Sequence, residues 1–249
     1  MDKDSAGVQG IRVKQRQGKK LTTLAGSDDE YDTDVDDEKV ETPFDPCGRR
    51  TYSRTCRKLR IVPKSFILEA LGGAVVDVRR HGLGDKDVLA LSTALLDNTT
   101  VSTLSLVENP LTEKSFHFLF LALAENLYVT KLVLRSTCST DDACASTCAQ
   151  LLSETLVENS TIQLVDMSEN GLKDMHAVYF ASILQNCKTL THLNLSHNNF
   201  GDAGAQLLAS GVGQYESHTA HNTNAAAGEG KDDGRMSRGK KLGCIAANE

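Results

Sequence analysis

Long hydrophobic runs and a secretory leader are both missing from this sequence. The 249 residues contain no tryptophan and only 5% aromatic residues. No apolar run approaches the roughly 18–20 residues that a membrane-spanning helix needs. The start, Met1-Asp2-Lys3-Asp4, has neither the basic nor the apolar region of a signal peptide. We therefore predict a cytoplasmic protein that has no membrane partner.

A disulfide framework is not predicted either. The seven cysteines are odd in number and irregular in spacing, unlike those of a small secreted domain. Cys144 and Cys148 are four residues apart on a predicted helix, with Cys138 nearby. A structural zinc site needs four converging ligands, and no second cysteine pair has ligand spacing. We predict buried apolar thiols and neither a metal nor a cofactor.

The net charge of −6 is unevenly distributed along the chain. Residues 1–60 carry 13 Lys/Arg and 12 Asp/Glu, whereas residues 61–213 carry 9 and 16. An acidic central region argues against a nucleic-acid partner, because phosphate binding needs a basic face.

Both ends of the chain have the composition of disordered segments. Residues 1–57 form a charged tail in which a basic stretch precedes an acidic one, and residues 214–249 are rich in Ala, Gly, Asn and Lys. Such segments bury too little apolar surface to offset their ordering entropy. Ser27 and Thr33 precede clustered acids. Acidophilic kinases favour this pattern, so both are predicted phosphorylation sites.

A repeat with a period near 28 residues fills the region 58–213. Two apolar residues separated by one residue recur five times, with offsets of 28, 28, 33 and 28. The copies are Val76-x-Val78, Leu104-x-Leu106, Leu132-x-Leu134, Val165-x-Met167 and Leu193-x-Leu195. A fixed period in this range predicts a solenoid of about five repeats behind an N-terminal cap.

Each copy carries further positions in the same register. Asn109, Asn170 and Asn198 follow their strands, and we predict that they form a ladder that satisfies backbone groups where the chain turns. An apolar stripe at helical spacing then follows, as in Val88, Leu91 and Leu95. The 33-residue copy gains its five extra residues between about 136 and 145, which we assign to the loop from strand to helix.

These units resemble the ribonuclease-inhibitor-like class of leucine-rich repeats. The motifs Gly82-Leu83-Gly84-Asp85-Lys86 and Phe200-Gly201-Asp202-Ala203-Gly204-Ala205 are typical of that class. The resemblance implies an α/β solenoid shaped as a horseshoe arc, with a parallel sheet on the concave side and helices on the convex side.

A narrower resemblance lies just before the repeats. Tyr52, Cys56, Pro63, Ser65 and Phe66 are similar to the lead-in of the leucine-rich repeat-containing protein 74 family, A and B forms. The resemblance implies a cap helix over the first strand. That family carries more repeats, so we expect this chain to be a truncated array.

The variable positions beside the strand leucines are the predicted partner-binding surface on the concave side. They comprise Asp77, Arg79, Arg80, Ser105, Glu108, Lys131, Arg135, Asp166, Glu169, His192 and Asn194. A parallel sheet that presents such columns predicts a protein-protein interaction scaffold. No nucleophile elbow, Walker A or zinc-protease motif occurs, so we predict no enzyme.

Two alternative functions and one further expectation accompany this prediction. Regulation of a small GTPase follows from the repeat class by fold analogy with Ran GTPase-activating proteins. Actin capping of the tropomodulin kind requires an amphipathic helix ahead of the array, and we expect none in residues 1–57. Self-association is expected if the last repeat is uncapped and exposes Leu207 and Leu208.

Overall fold

A five-stranded parallel sheet runs through the molecule. The computed structural model describes residues 45–138 and 141–212. The strands are β1 (Val75–Asp77), β2 (Thr103–Ser105), β3 (Lys131–Val133), β4 (Leu164–Asp166) and β5 (His192–Asn194). They lie side by side in sequence order, and every neighbouring pair is parallel. This order is that of a solenoid, in which each repeat contacts only its neighbours.

The register of the sheet follows the repeat offsets. Val76 pairs with Leu104, which pairs with Leu132, and the row continues through Val165 and Leu193. All five side chains are at most 2% exposed. The strand centres predicted from the period are therefore confirmed, since the repeat length sets which residues meet across the sheet.

Helices return the chain from each strand to the next. They are α1 (Arg49–Lys58), α2 (Ser65–Ala70), α3 (Asp85–Asp97), α4 (Glu113–Glu125), α5 (Asp142–Glu158) and α6 (Ala177–Asn186), and residues 202–212 are also helical and are called α7. A 3-10 turn, Asp174–His176, precedes α6. Packed helices are about 8–10 Å apart and strands about 4.8 Å, so the stack curves with the sheet inside.

The predicted apolar stripes form the core between the sheet and the helices. In α3, for example, Val88, Leu91 and Leu95 are fully buried against the strand leucines. The fold class predicted from the sequence, an α/β leucine-rich-repeat solenoid, is confirmed.

Four of the five extra residues of the third repeat lie in its helix and not in the preceding loop. From the first residue of β2 to that of α4 the chain advances 113 − 103 = 10 residues, and from β3 to α5 it advances 142 − 131 = 11. Helix α5 has 17 residues, whereas α4 has 13. Four of the five residues therefore lengthen the helix by one turn, and the assignment to the loop is wrong. A loop of added length orders no backbone hydrogen bonds, whereas an added helical turn satisfies its own.

The predicted limit of the N-terminal tail at residue 57 is also wrong. Helix α1 begins at Arg49 and buries Tyr52 and Cys56 completely against the first repeat. It corresponds to the cap helix that the lead-in residues Tyr52 and Cys56 implied. The charged composition of this segment nevertheless suggested a tail, because only two of the ten helix residues are buried.

The cap is bonded to the first repeat through the loop that precedes α1. The Thr99 N–H donates to the Pro46 carbonyl at 2.8 Å, and the Thr51 hydroxyl donates to the Asp97 carboxylate at 2.8 Å. On its other side, Asp87 forms a 3.0 Å ion pair with Lys64. Helix α1 thus takes the place that a preceding repeat's helix would occupy against α3.

Candidate interaction surface

The outer face of the sheet carries two columns of side chains. Residues alternate between the faces of a strand, so the neighbours of each buried strand centre point outward. The first column is Val75, Thr103, Lys131, Leu164 and His192, and the second is Asp77, Ser105, Val133, Asp166 and Asn194. We call these ten residues the sheet face. In the described part of the chain, no helix or strand covers them.

The first two repeats of the sheet face are tied together at Asp77. Its carboxylate accepts a 2.7 Å hydrogen bond from the Ser105 hydroxyl and bonds of 3.0 and 3.1 Å from Nε of Arg79. Ser105 is only 5% exposed. The expectation that Ser105 offers a contact to a partner is therefore wrong, because its hydroxyl is buried against Asp77.

A row of left-handed residues follows the strands along one rim of the sheet. Every repeat has one, with φ between 53° and 57°, and none is glycine. The row is Arg80, Glu108, Ser136, Glu169 and His197. The left-handed conformation costs an L-residue roughly 1–2 kcal/mol. The left-handed residue turns the chain away from the strand in every repeat. Because none of the five is glycine, the sequence gave no sign of this conformation.

The three arginines predicted to face a partner all form ion pairs within the fold. Arg80 pairs with Glu108 of the next repeat, and Arg135 pairs with Glu169 at 3.1 Å. The hydrogen bond from Arg80 holds the pKa of Glu108 below its usual value. With Arg79 bound to Asp77, all three predicted arginines have acidic partners. Lys131 is exposed, and among the described residues no acidic side chain forms an ion pair with it.

The fourth and fifth repeats fix the polar ends of their strands in the same way. The Asp166 carboxylate accepts from the Ser168 hydroxyl at 2.6 Å, and the Asn194 side-chain oxygen accepts from the Ser196 hydroxyl at 2.7 Å. In each case the serine backbone N–H donates to the same oxygen, at 3.0 and 3.1 Å. These side chains are therefore held in place before any partner arrives. His192 is exposed and lies 2.8 Å from the Thr191 hydroxyl.

Asn109 is one of three buried asparagines that follow the strands. Its side-chain nitrogen donates to the Val78 and Leu106 carbonyls at 2.6 and 3.0 Å, and its oxygen accepts from the His81 N–H at 3.0 Å. Asn198 bonds the fourth repeat in the same manner, donating to Met167 at 3.0 Å. Each of these asparagines satisfies backbone groups of its own repeat and of the preceding one.

Asn170 is bonded to the third repeat, where Thr137 stands in place of asparagine. Its side-chain nitrogen donates to the Leu134 carbonyl at 2.7 Å, and its oxygen accepts from the Thr137 and Cys138 N–H groups at 2.8 and 2.9 Å. The Thr137 hydroxyl donates to Leu134 at 2.8 Å. Threonine thus supplies one hydrogen bond within its own repeat.

A second row of buried asparagines lies where the helices end. Asn126 donates to the Leu95 carbonyl at 2.6 Å and accepts from the Val129 N–H at 2.8 Å. Asn98 and Asn159 make the corresponding bonds in their repeats. These asparagines are not among the ladder positions predicted from the sequence. Their spacings, 28 and 33 residues, match the strand offsets and were the available signal.

The three clustered cysteines lie inside the fold. Cys144 and Cys148 are buried on α5, and Cys138 packs against the core beside them. Burial and the neighbouring Cys138 thiol raise the pKa of the Cys148 thiol well above its ordinary value. Across the described residues, no group of three or more His, Cys, Asp or Glu is arranged to hold a metal ion. The six cysteines in that part of the chain are free thiols.

His176 joins the third and fourth repeats and was not singled out from the sequence. It is fully buried, Nδ1 accepts from the Lys173 N–H at 2.8 Å, and Nε2 lies 3.1 Å from the Ser146 hydroxyl. We expect His176→Ala to lower the free energy of unfolding by about 2 kcal/mol, because it removes a fully buried side chain and the acceptor of the Lys173 N–H. Chemical denaturation measures this, with the exposed His117→Ala as a control that changes stability by less than about 0.5 kcal/mol. Equal effects of the two substitutions would contradict this role.

Comparison with known proteins gave one family model and similar solved structures. A family model described as leucine-rich repeat matches residues 186–209, which contain β5. A solved structure described as "Leiomodin-1 Actin-Binding Site 2 (ABS2)" is 16% identical, with a TM-score of 0.45, and the match covers 74% of this chain and 98% of that one. The C-terminal domain of tropomodulin from Caenorhabditis elegans is 8% identical, with a TM-score of 0.46, and the match covers 70% of this chain and 98% of that one.

The two predicted phosphorylation sites, Ser27 and Thr33, lie outside the described residues. None of the helices within the described ranges combines the length and the apolar content needed to cross a bilayer.

Proposed function

We propose that this protein is a non-catalytic cytoplasmic scaffold that binds a protein partner through the sheet face. One observation carries the proposal: nine of the ten outward positions on the five parallel strands are at least partly exposed, and these positions differ chemically from repeat to repeat. The side chains of Asp166 and Asn194 are held by the serine two residues later in each repeat. Fixed polar groups lose little conformational entropy on binding, which favours recognition.

The size of the sheet face limits what can bind there. Four strand spacings of about 4.8 Å give a width of about 19 Å. Strands of three residues are about 10 Å long, so the face covers on the order of 200 Å², whereas a standard interface uses about 800 Å² per partner. We therefore propose that the partner inserts one peptide segment or helix and also contacts the rim.

The centre of the sheet face indicates the chemistry of that segment. Val133 and Leu164 are partly exposed in neighbouring strands, beside the exposed Lys131. An apolar side chain fits between the first two, and a carboxylate of the partner suits the ammonium group of Lys131. Binding hot spots cluster near the centre of an interface, where side chains are most fully removed from water.

The test compares two lysines that differ only in location. Lys131→Glu reverses a charge on the sheet face, and Lys114→Glu reverses one on the exposed side of α4. We expect Lys131→Glu to reduce the amount of a co-purifying partner at least about ten-fold, which corresponds to about 1.4 kcal/mol. Lys114→Glu is expected to leave it unchanged. Quantitative mass spectrometry of the tagged chain and both variants measures the difference.

Thermal unfolding shows whether both variants remain folded. If they melt together and retain the partner equally, binding lies elsewhere and the proposal is wrong. Substitution of Arg79 or Arg135 is a poorer test, because each already has an acidic partner and its loss also changes the fold's own ion pairs.

The narrower family relationship and the alternative function have different support. We infer a relationship to the leucine-rich repeat-containing protein 74 family from the lead-in residues around Tyr52 and Pro63. Regulation of a small GTPase rests on the repeat class alone, and no described residue or comparison favours it.

We also propose weak self-association at the edge of β5. In the other four repeats a backbone N–H donates to the next strand, as from Met167 to Asn194 at 2.9 Å. Among the described residues, the corresponding N–H of Leu195 has no such acceptor. Leu207 is 42% exposed nearby on α7, whereas Leu208 is only 1% exposed, so the expected exposure of Leu208 is wrong.

Sedimentation velocity at increasing concentration tests this association. We expect a reversible rise in sedimentation coefficient that Leu207→Lys reduces. Leu127→Lys, which changes an exposed leucine far from β5, is expected to leave it unchanged. A concentration-independent monomer would contradict the proposal, since open strand edges promote pairing.

A further inference from the structure

The exposed face of α1 is a basic stripe. Tyr52 and Cys56 bury the opposite face against α3, while Arg54, Arg57 and Lys58 are exposed. Arg50 lies on the same stripe, because positions i, i+4, i+7 and i+8 share one side of a helix. The helix sequence RRTYSRTCRK contains no acidic residue. The cap therefore presents a row of like charges, which repel one another at these spacings.

The C-terminal part of this stripe has no acidic partner in the described fold. Asp87 pairs with Lys64 and Asp97 accepts from Thr51, whereas Asp45 lies at the other end of the stripe, where it accepts from the Arg50 N–H and attracts the Arg50 side chain. Among the described residues, no ion pair involves Arg54, Arg57 or Lys58. On the sheet side, by contrast, each predicted arginine has a partner.

The sequence places an opposite charge a short distance along the chain. Residues 28–38 contain eight acidic residues and no basic one. Ten residues, 39–48, separate this acidic segment from the first residue of α1. Fully extended, they span roughly 33–36 Å, whereas α1 is only about 15 Å long. The segment can therefore reach every position of the stripe.

We propose that the acidic segment 28–38 binds the basic stripe of α1 in the same molecule. A short flexible connection gives an effective concentration in the millimolar range, so weak charge pairing suffices. Thr33 lies inside the segment and Ser27 just before it, so phosphorylation at either position adds negative charge to the bound segment. The sheet face takes no part in this contact.

Zero-length carbodiimide coupling of the full chain, followed by peptide mass spectrometry, tests the proposal. The reagent joins a lysine to a carboxylate only when the two groups touch. Lys64–Asp87 at 3.0 Å and Lys173–Asp142 at 2.8 Å are internal positive controls. We expect Lys58 to couple to residues 28–38, and the exposed Lys114 to couple to none of them.

Salt and isotope mixing make the result specific. Raising the salt to 1 M shortens the screening length to about 3 Å, and we expect it to reduce the Lys58 product at least about five-fold. In an equal mixture of light and heavy protein, the product is expected within single chains only. Mixed light–heavy products assign the stripe to a second copy and overturn the proposal. So does the absence of any Lys58 product while both control pairs couple.

Discussion

Asn109→Ala is expected to lower the free energy of unfolding by about 3–5 kcal/mol, a large effect for a single substitution. The Asn109 side chain is fully buried. It donates to the Val78, Leu106 and Val107 carbonyls at 2.6, 3.0 and 3.2 Å. Alanine removes the side-chain partner of the Val78 and Leu106 carbonyls and of the His81 and Leu83 N–H groups, whereas the Val107 carbonyl still accepts from the Arg80 N–H. Denaturant unfolding followed by circular dichroism measures the loss.

Two controls separate this effect from a general cost of removing asparagine. Asn186 is exposed and bonds only to Ser182 in its own helix, so Asn186→Ala is expected to cost less than about 0.5 kcal/mol. The cost of Asn109→Thr is expected to lie between those of Asn109→Ala and Asn186→Ala. Thr137, at the same position in the third repeat, supplies one hydrogen bond to the backbone. If Asn109→Ala costs no more than Asn186→Ala, the asparagine does not join the first two repeats.

Gly48→Ala is expected to destabilise the protein by about 2–4 kcal/mol, although it lies in a segment whose composition suggests a tail. Gly48 has φ of 68°, and an added Cβ would lie 2.5 Å from the Ala94 carbonyl oxygen. Because that atom belongs to the backbone of α3, relief requires that α1 move away from the first repeat. The melting temperature reports the loss.

Gly82→Ala is the matched control for this substitution. Gly82 also has a positive φ, 54°, but no atom lies within 4 Å of an added Cβ. It is expected to cost about 1 kcal/mol, the price of the left-handed conformation alone. If the two variants melt at the same temperature, α1 does not pack closely on α3, and the basic stripe is no longer oriented as we describe.

The period of the sequence was sufficient to predict which strand residues meet. Val76, Leu104 and Leu132 pair as their 28-residue offsets require, because every repeat forms the same strand, turn and helix. The longer third repeat kept its register for the same reason, although its extra residues went into α5. The apolar stripes of the helices were equally predictable, since burial at helical spacing is a local property of the sequence.

The composition of the cap, by contrast, led to the assignment of residues 49–57 to a disordered tail, although they are helical. Helix α1 is dominated by arginine, and its two buried residues, Tyr52 and Cys56, occupy one turn's spacing. A disordered segment and a helix that packs by a single narrow stripe look alike by composition. Only contact with α3 distinguishes them, and the residues that provide it lie more than 30 positions later.

The sequence by itself determined the repeat, its strand register and the asparagines at its turns, because these follow from side chains at a constant spacing. The tertiary structure alone decided that Arg79, Arg80 and Arg135 are paired, that Ser105 is buried and that Lys131 is left exposed. Those outcomes depend on which charged groups of neighbouring repeats approach within hydrogen-bonding distance. A pattern of apolar positions specifies where the backbone runs, but not how the polar side chains on it pair.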